Sequence, residues 1–349
     1  MPSFGNTQLK LLERLCNVVG VCGDETEVRK IVLDEIKAFT DEVKVDAIGN
    51  VLAIRRGQGA KRVRVMVDAH MDEVGFFIVA DEGDGIYRFE TVGGINPRHL
   101  FGKQVYVGRD RTPGLIGGKP IHLMNLDERN RSISVGDLRI DIGLKGKANV
   151  GDRAGFATKF RRAGPSIMAK SIDNRIGVAT LIELLRYAPP NIDLCASFSV
   201  QEEIGLRGAK VAAQYFKPNM AITIDATPAY DLPLYDGSEN TSYFTQLGLG
   251  PAIYLADRAA LHDLRLVRFL RDIGDTDNIP YQIRQPGGGG TDSGAIQRSL
   301  AGVPTIAVSV PLRYAHSPIG ISRVNDWKNM LRLLHTALER ITPGLISKR

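Results

Sequence analysis

Cysteine is scarce in this chain. Three residues in 349, Cys16, Cys22 and Cys195, form an odd set with no close pairing. They can build neither a disulfide framework nor a zinc-ribbon spacing, so a reducing, cytoplasmic setting is expected. Long hydrophobic runs are also missing. None approaches the roughly 20 residues that span a bilayer. The polar stretch from Met1 to Lys10 lacks the basic-then-apolar order of a secretory signal, so no membrane partner is expected. The net charge of +6 raises the question of nucleic acid. Its basic residues, however, stand in small groups: Arg55-Arg56, Lys61-Arg62 with Arg64, and Lys159 with Arg161-Arg162. No aromatics interleave them, which describes a solvated surface and excludes a recognisable nucleic-acid module. Internal repeats and low-complexity segments are absent as well.

What is present is an ordinary globular composition, 43% hydrophobic and 24% charged, in a chain long for a single core. Asp24 with Glu27 reads as a capping box ahead of Val28, Ile31, Val32 and Ile36 at helical spacing. Gly49-Asn50 separates two short strands, Val43 to Ile48 and Val51 to Arg55. Val63 to Ala69 is a buried strand that ends at His70. From about Asp81 to Lys170 helical periodicity gives way to short apolar runs punctuated by glycine, proline, asparagine and aspartate, the texture of an all-β module. Afterwards the α/β texture returns. A helix is expected from about Asp173 to Tyr187, and strands at Leu194 to Val200 and Ala221 to Asp225. A helix around Leu261 to Ile273, a strand near Tyr281, a strand from Pro304 to Val310 and a helix from about Val324 to Arg340 complete the chain. The fold class is α/β, with an all-β insertion.

The chemistry-bearing residues stand at the ends of these runs. His70 closes a buried strand, and Asp72 follows as a candidate acceptor for the second ring nitrogen of a ligating histidine. Asp173 begins an apolar helix, where a carboxylate can cap the helix or bridge two cations. Glu202 and Glu203 follow another buried strand, and adjacent carboxylates there need something positive to hold them. Neighbouring side chains diverge, so Glu203 can bind metal while Glu202 serves as general base and acid. Asp225 ends a further strand, and His316 lies in a proline-flanked loop. His70, Asp173, Glu203, Asp225 and His316 together suit two divalent cations, zinc or cobalt first and manganese as a third candidate. Two such ions carry four positive charges against three carboxylates, and a bridging hydroxide, the candidate nucleophile, cancels the remainder.

Other motifs compete less well. Gly287-Gly288-Gly289-Gly290-Thr291-Asp292 resembles a phosphate loop but lacks the lysine, and reads as close-approach backbone near the substrate. His99, His122, His262 and His335 read as structural, the last two in helical patterns. No Gly-x-Ser-x-Gly elbow supports a serine triad.

The segments His70-Met71-Asp72-Glu73-Val74-Gly75, Asp173-Asn174-Arg175, Glu202-Glu203-Ile204-Gly205-Leu206-Arg207-Gly208-Ala209, Asp225-Ala226-Thr227 and His316-Ser317-Pro318 resemble the glutamyl/deblocking aminopeptidases. These are the tetrahedral-assembly relatives of peptidase family forty-two. Gly118-Lys119-Pro120 and Gly289-Gly290-Thr291-Asp292 also fit. The resemblance implies a central mixed β-sheet flanked by helices, formed by residues 1–72 and 168–349, with a barrel-like dimerisation domain at 73–167. It implies one metal on His70 and Asp225, another on Glu203 and His316, and Asp173 between them. It implies short peptide substrates cleaved at the N-terminal bond, and dimers that build a twelve-subunit particle. Some members are labelled endoglucanases, so a glycosidase, a metal-dependent deacylase and a non-catalytic binding protein with a vestigial site are the rival readings. Ser171-Ile172 and Ile319-Gly320-Ile321-Ser322 depart from the usual pattern without touching a proposed ligand.

Overall fold

The computed structural model describes residues 4–59, 62–238, 240–241 and 245–347; Lys61 of the basic group above and residues 1–3 of the polar start lie outside them. Strands run Glu42–Val45 (β1), Val51–Arg55 (β2), Val63–His70 (β3), Gly75–Asp81 (β4), Ile86–Val92 (β5), Gln104–Val107 (β6), Thr112–Gly118 (β7), Leu138–Asp141 (β8) and Arg153–Phe156 (β9). They continue with Arg161–Ala163 (β10), Ser166–Ala169 (β11), Ile192–Ser199 (β12), Met220–Pro228 (β13), Ala252–Tyr254 (β14), Gln282–Arg284 (β15), Thr305–Leu312 (β16) and Gly320–Arg323 (β17). The helices are Asn6–Asn17 (α1), Thr26–Ile36 (α2), Leu126–Asn130 (α3), Ile172–Arg186 (α4), Arg207–Phe216 (α5), Leu264–Thr276 (α6), Ser293–Gln297 (α7), Val324–Arg340 (α8) and Gly344–Ser347 (α9).

Eight strands form one mixed sheet in the order β1-β2-β12-β3-β13-β16-β14-β15. Its centre, β12-β3-β13-β16, is parallel, which requires helices on both faces to cover strands buried on both sides. One face packs against α1, α2, α4, α6 and α8 in the main apolar core, and the other against α5 and α7 in a smaller one. In α8, Trp327, Met330, Leu331, Leu334 and Leu338 recur at helical spacing and are buried. Trp327 is fully buried, and its indole N–H donates to Thr180 Oγ1 of α4 at 2.8 Å, so the two helices are pinned by packing and by a satisfied polar group.

The α/β class with a central mixed sheet and an all-β insertion is therefore present. The insertion closes into a barrel, β4-β5-β8-β7-β6-β9, around its own apolar centre, where Phe76 meets Phe89 and Phe156 edge-on at 5.2 and 5.1 Å. β10 and β11 stand outside the barrel and pair with β17 in a separate three-stranded sheet.

Several local expectations need correction. Asp24 and Glu27 form no capping box: Glu25 occupies the N-cap of α2 without a side-chain cap, Asp24 accepts from the Thr26 hydroxyl, and Glu27 pairs with Arg111. The first hairpin strand stops at Val45, because Asp46 Oδ1 accepts the backbone N–H groups of Ile48, Gly49 and Asn50 and turns the chain. Among the described residues the insertion contains one short α-helix, α3, capped by Asn125 and Glu128, and three single 3-10 turns. His262 precedes α6, which starts only at Leu264 behind the Asp263 cap. Replacing Trp327 by alanine is expected to cost about 3–5 kcal/mol, which would appear as a lowered thermal transition, while Trp327→Phe keeps most of the packing and loses less.

Candidate metal centre

The parallel register brings strand ends level, and the candidate residues gather there. His70 ends β3, Glu202 and Glu203 follow β12, and His316 follows β16, whereas Asp225 does not end its strand as expected but is the sixth of the nine residues of β13. Asp173 sits in the first turn of α4, where its own ψ of 108° and the 38° of Asn174 depart from helix and aim the carboxylate off the axis. All six side chains line one cleft of about 350 Å³.

The donors fall into two sets, His70 with Glu202 and Asp225, and Asp173 with Glu203 and His316. His70 Nε2 lies 3.3 Å from Asp173 Oδ1, 3.5 Å from Asp225 Oδ1 and 3.9 Å from Glu202 Oε2. His316 Nε2 lies 3.5 Å from Asp173 Oδ2 and 3.4 Å from Glu203 Oε2. Asp173 thus turns one oxygen to each set. Charge-assisted hydrogen bonds measure about 2.7–2.9 Å, whereas donors sharing a tetrahedral ion with bonds near 2.0–2.1 Å stand roughly 3.3–3.4 Å apart. The spacing fits ligands of shared cations.

The tautomers agree. His70 Nδ1 faces the carbonyl of Asp72 at 3.2 Å, and His316 Nδ1 faces the carbonyl of Gly94 at 2.9 Å. A carbonyl can only accept, so each Nδ1 donates to it, which leaves each Nε2 as the nitrogen that would turn a lone pair to a bound cation on the carboxylate side. Gly94 belongs to the loop after β5, so the inserted barrel itself orients His316. Unpaired, this concentration of charge distorts every group. Burial would lower His70, but Glu202, Asp173, Asp225 and Asp72 outweigh it and hold the imidazole well above its ordinary value. Burial, reinforced by neighbouring carboxylates, pushes Glu202 well up, Glu203 to about 8 and Asp225 to about 6. Bound cations would relieve that field.

Asp72, fully buried, meets its expected histidine through its backbone; its carboxylate lies 3.6 Å from His70 Nδ1. Its two oxygens accept instead from the backbone N–H groups of Glu202 and Glu203, both at 3.1 Å. It therefore sets the turn that separates the two glutamates. That turn is reached through Gln201 at φ 59°, a left-handed conformation that costs a non-glycine residue free energy.

Three buried charges escaped the sequence reading although they lie inside the quoted motifs or beside them. Glu73 accepts both from Lys170 Nζ and from Arg175, at 3.2 Å in the latter case, and from the Gly20 N–H. Arg175 also donates to the carbonyls of Met71, Asp72 and Leu15. A lysine two places before a helix gives no periodic signal of burial. The cleft's far wall, Tyr254, Arg284, Gly289, Gly290 and Thr291, was legible only for the glycine run. Gly290 and Gly294 pack against Ala259, where a Cβ would come within 2.6 and 2.4 Å.

The model of the M42 glutamyl aminopeptidase family matches residues 49–333. The chain belongs to that family. It is a hydrolase acting on peptides, and the family is metal-dependent. A lysyl aminopeptidase of Pyrococcus furiosus is 30% identical over 348 residues, covering 96% of this chain and 97% of the relative. An aminopeptidase structure from the archaeon Desulfurococcus kamchatkensis is 33% identical, with a TM-score of 0.91 over 98% of this chain and 97% of that one. A Pyrococcus horikoshii TET1 peptidase, described as assembling into a tetrahedron or a large octahedral shell, is 32% identical with a TM-score of 0.83 over 96% and 100%. Replacing Asp72 of this M42 chain by alanine should free the Glu202-Glu203 turn and lower metal affinity by about 10–100-fold, read as earlier loss of metal to a competing chelator.

Proposed function

We propose that this chain is a co-catalytic aminopeptidase that removes N-terminal residues from short peptides with two divalent ions. Convergence of the five expected ligands, with Glu202 beside them, into two sets of three joined by the two oxygens of Asp173 carries this reading. His70 and Asp225 would hold one ion, Glu203 and His316 the other, with Asp173 between them. Zinc or cobalt suits the imidazole and carboxylate donors, with manganese also accommodated. When bound, such ions lower the pKa of water and polarise a carbonyl.

The protein's own groups do the rest. Glu202 stands farthest of the three carboxylates from His70 Nε2, at 3.9 Å, and its side chain lines the cleft. That position lets it take the proton of the attacking water at a carboxylate oxygen and return it to the leaving amine. Asp72 holds the Glu202 backbone while it does so. The acidic floor attracts the free ammonium of a peptide N-terminus, and the wall of Pro228, Tyr254, Thr291 and Arg284 closes around the first side chain. A metal-free glycosidase would need two carboxylates flanking a sugar bond; here every candidate carboxylate turns to an imidazole.

Assembly through the insertion, as dimers built into a twelve-subunit particle, belongs to the same reading. Ile121, Leu123 and Leu126 on the barrel side are 67%, 64% and 74% exposed, more apolar surface in one stretch than an isolated chain favours. A cytoplasmic setting agrees with three buried, free cysteines. Among the described residues no helix is long and apolar enough to cross a membrane.

Three measurements test the proposal. Glu202→Gln should reduce hydrolysis of aminoacyl anilides by about 10²–10⁴-fold with metal content unchanged; a parallel loss of metal would make Glu202 a ligand instead. Chelation should abolish turnover and cobalt or zinc restore it, whereas chelator-resistant cleavage of a glucan would sink the peptidase reading. Light scattering should give a particle of twelve chains, and Leu126→Asp should break it into smaller species.

A further inference from the structure

Below the ligands, the same sheet face carries a second polar layer that the proposed peptidase chemistry does not use. Side chains alternate along a strand, so this face shows Met66, Asp68 and His70 on β3, Cys195, Ser197 and Ser199 on β12, and Ala221, Thr223 and Asp225 on β13. Register aligns them: Asp68 lies opposite both Ser197 and Thr223, and His70 opposite Ser199. Met66, Cys195 and Ala221 pack in the smaller apolar core with Ile296 of α7. Between that apolar layer and the ligand layer sit Asp68, Ser197 and Thr223, with Asp292 over them at the N-cap of α7.

This middle layer is not electrostatically closed. Ser199 Oγ lies 3.2 Å from Asp68 Oδ2 and 2.9 Å from Asp292 Oδ2, but one hydroxyl proton can serve only one carboxylate. Asp68 Oδ1, Asp292 Oδ1, Ser197 Oγ and Thr223 Oγ1 have no hydrogen-bond partner, and none of these residues is more than 2% exposed. Ser197 stands directly opposite Asp68 in the parallel register of β12 and β3. Among the described residues no lysine or arginine pairs with either carboxyl. Two carboxyls and two hydroxyls, all buried and partly unpartnered, are an unfavourable arrangement unless something positive lies among them.

We infer that Asp68, Asp292, Ser197 and Thr223 form a buried site for one small hard cation, Na+ or Ca2+, distinct from the catalytic ions. The donors are oxygen only, which favours such cations over the imidazole-seeking metals of the upper layer. Ser199 touches both carboxyls and stands in register with His70, so an ion there would brace the floor of the centre.

The test uses the intact chain loaded with cobalt and moved into choline chloride. Thermal unfolding is followed as NaCl, KCl or CaCl2 replaces choline at matched ionic strength, with cobalt content measured in every sample. The expected result is a saturable rise of the transition by a few degrees with Na+ or Ca2+, at constant cobalt content. Asp68→Asn should remove that response, and Thr223→Val, which deletes one neutral donor and keeps the shape, should weaken it if the first variant fails to fold. A transition identical in all salts, or a response retained in both variants, overturns the inference and leaves a shared proton or buried water as the filling. Peptide turnover is scored separately: a flat salt response in an active peptidase sinks only the buried cation, and a saturable response in a chain without peptidase activity sinks only the peptidase reading.

Discussion

Glu73, Lys170 and Arg175 form the buried ion network on which the metal centre depends. Glu73 follows the strand that ends in His70, and the two cations flank Asp173 on either side of the start of α4. Lys170 and Arg175 are 2% and 0% exposed, so the attraction acts in low dielectric and is little screened. Such a network is weak as a source of net stability, because burying the charges costs desolvation. Its value is positional. It ties the chain after β3 to the head of α4, two segments about a hundred residues apart, and so sets His70 against Asp173. Arg175 extends the tie by gripping the Met71 and Asp72 carbonyls, the second of which also orients His70.

With that tie in place, the remaining ligands need only level strand ends. Parallel β12, β3, β13 and β16 deliver Glu202 and Glu203, Asp225 and His316 to one edge, and the Asp72 carboxylate sets the turn between the glutamates. The inserted barrel then contributes more than a surface for partners, since the Gly94 carbonyl behind its second strand holds His316 in the tautomer that a ligand requires. Fold and site are coupled through main-chain carbonyls as much as through side chains.

Much of this was legible in residue order. The buried strands were, because β-branched runs such as Val63 to Ala69 have no other economical reading. So was the change of texture at the insertion, and α8 from Val324 to Arg340 matched to the residue. Among the described residues five helices escaped: α3, α7 and α9, each of five residues or fewer, and the longer α1 and α5. α1 begins inside the polar stretch that ends at Lys10 and buries Leu11, Leu12, Leu15 and Cys16 beyond it, and α5 buries mostly alanines, whose small side chains give a weak apolar period. The capping box failed because its pattern needs only two residue types, while the actual partners of Glu27 and Asp24 lie elsewhere, one of them in the barrel. Apart from its glycine run the cleft's far wall was not legible: Tyr254 lies in a three-residue strand without a periodic signature, and the strand expected near Tyr281 carries no sign in its sequence that Arg284 faces the cleft.

The sequence by itself determined the inventory: the five candidate ligands, the spare carboxylate of Glu202 and the apolar runs that had to be buried. Their types already limit the chemistry, because imidazoles and carboxylates in that number suit divalent ions. Tertiary structure alone decided which oxygen of Asp173 faces which histidine, that Asp72 holds the Glu202 and Glu203 amides, and that a second layer of oxygens lies beneath. Those are distances between residues far apart in the chain, and only packing and strand register set them.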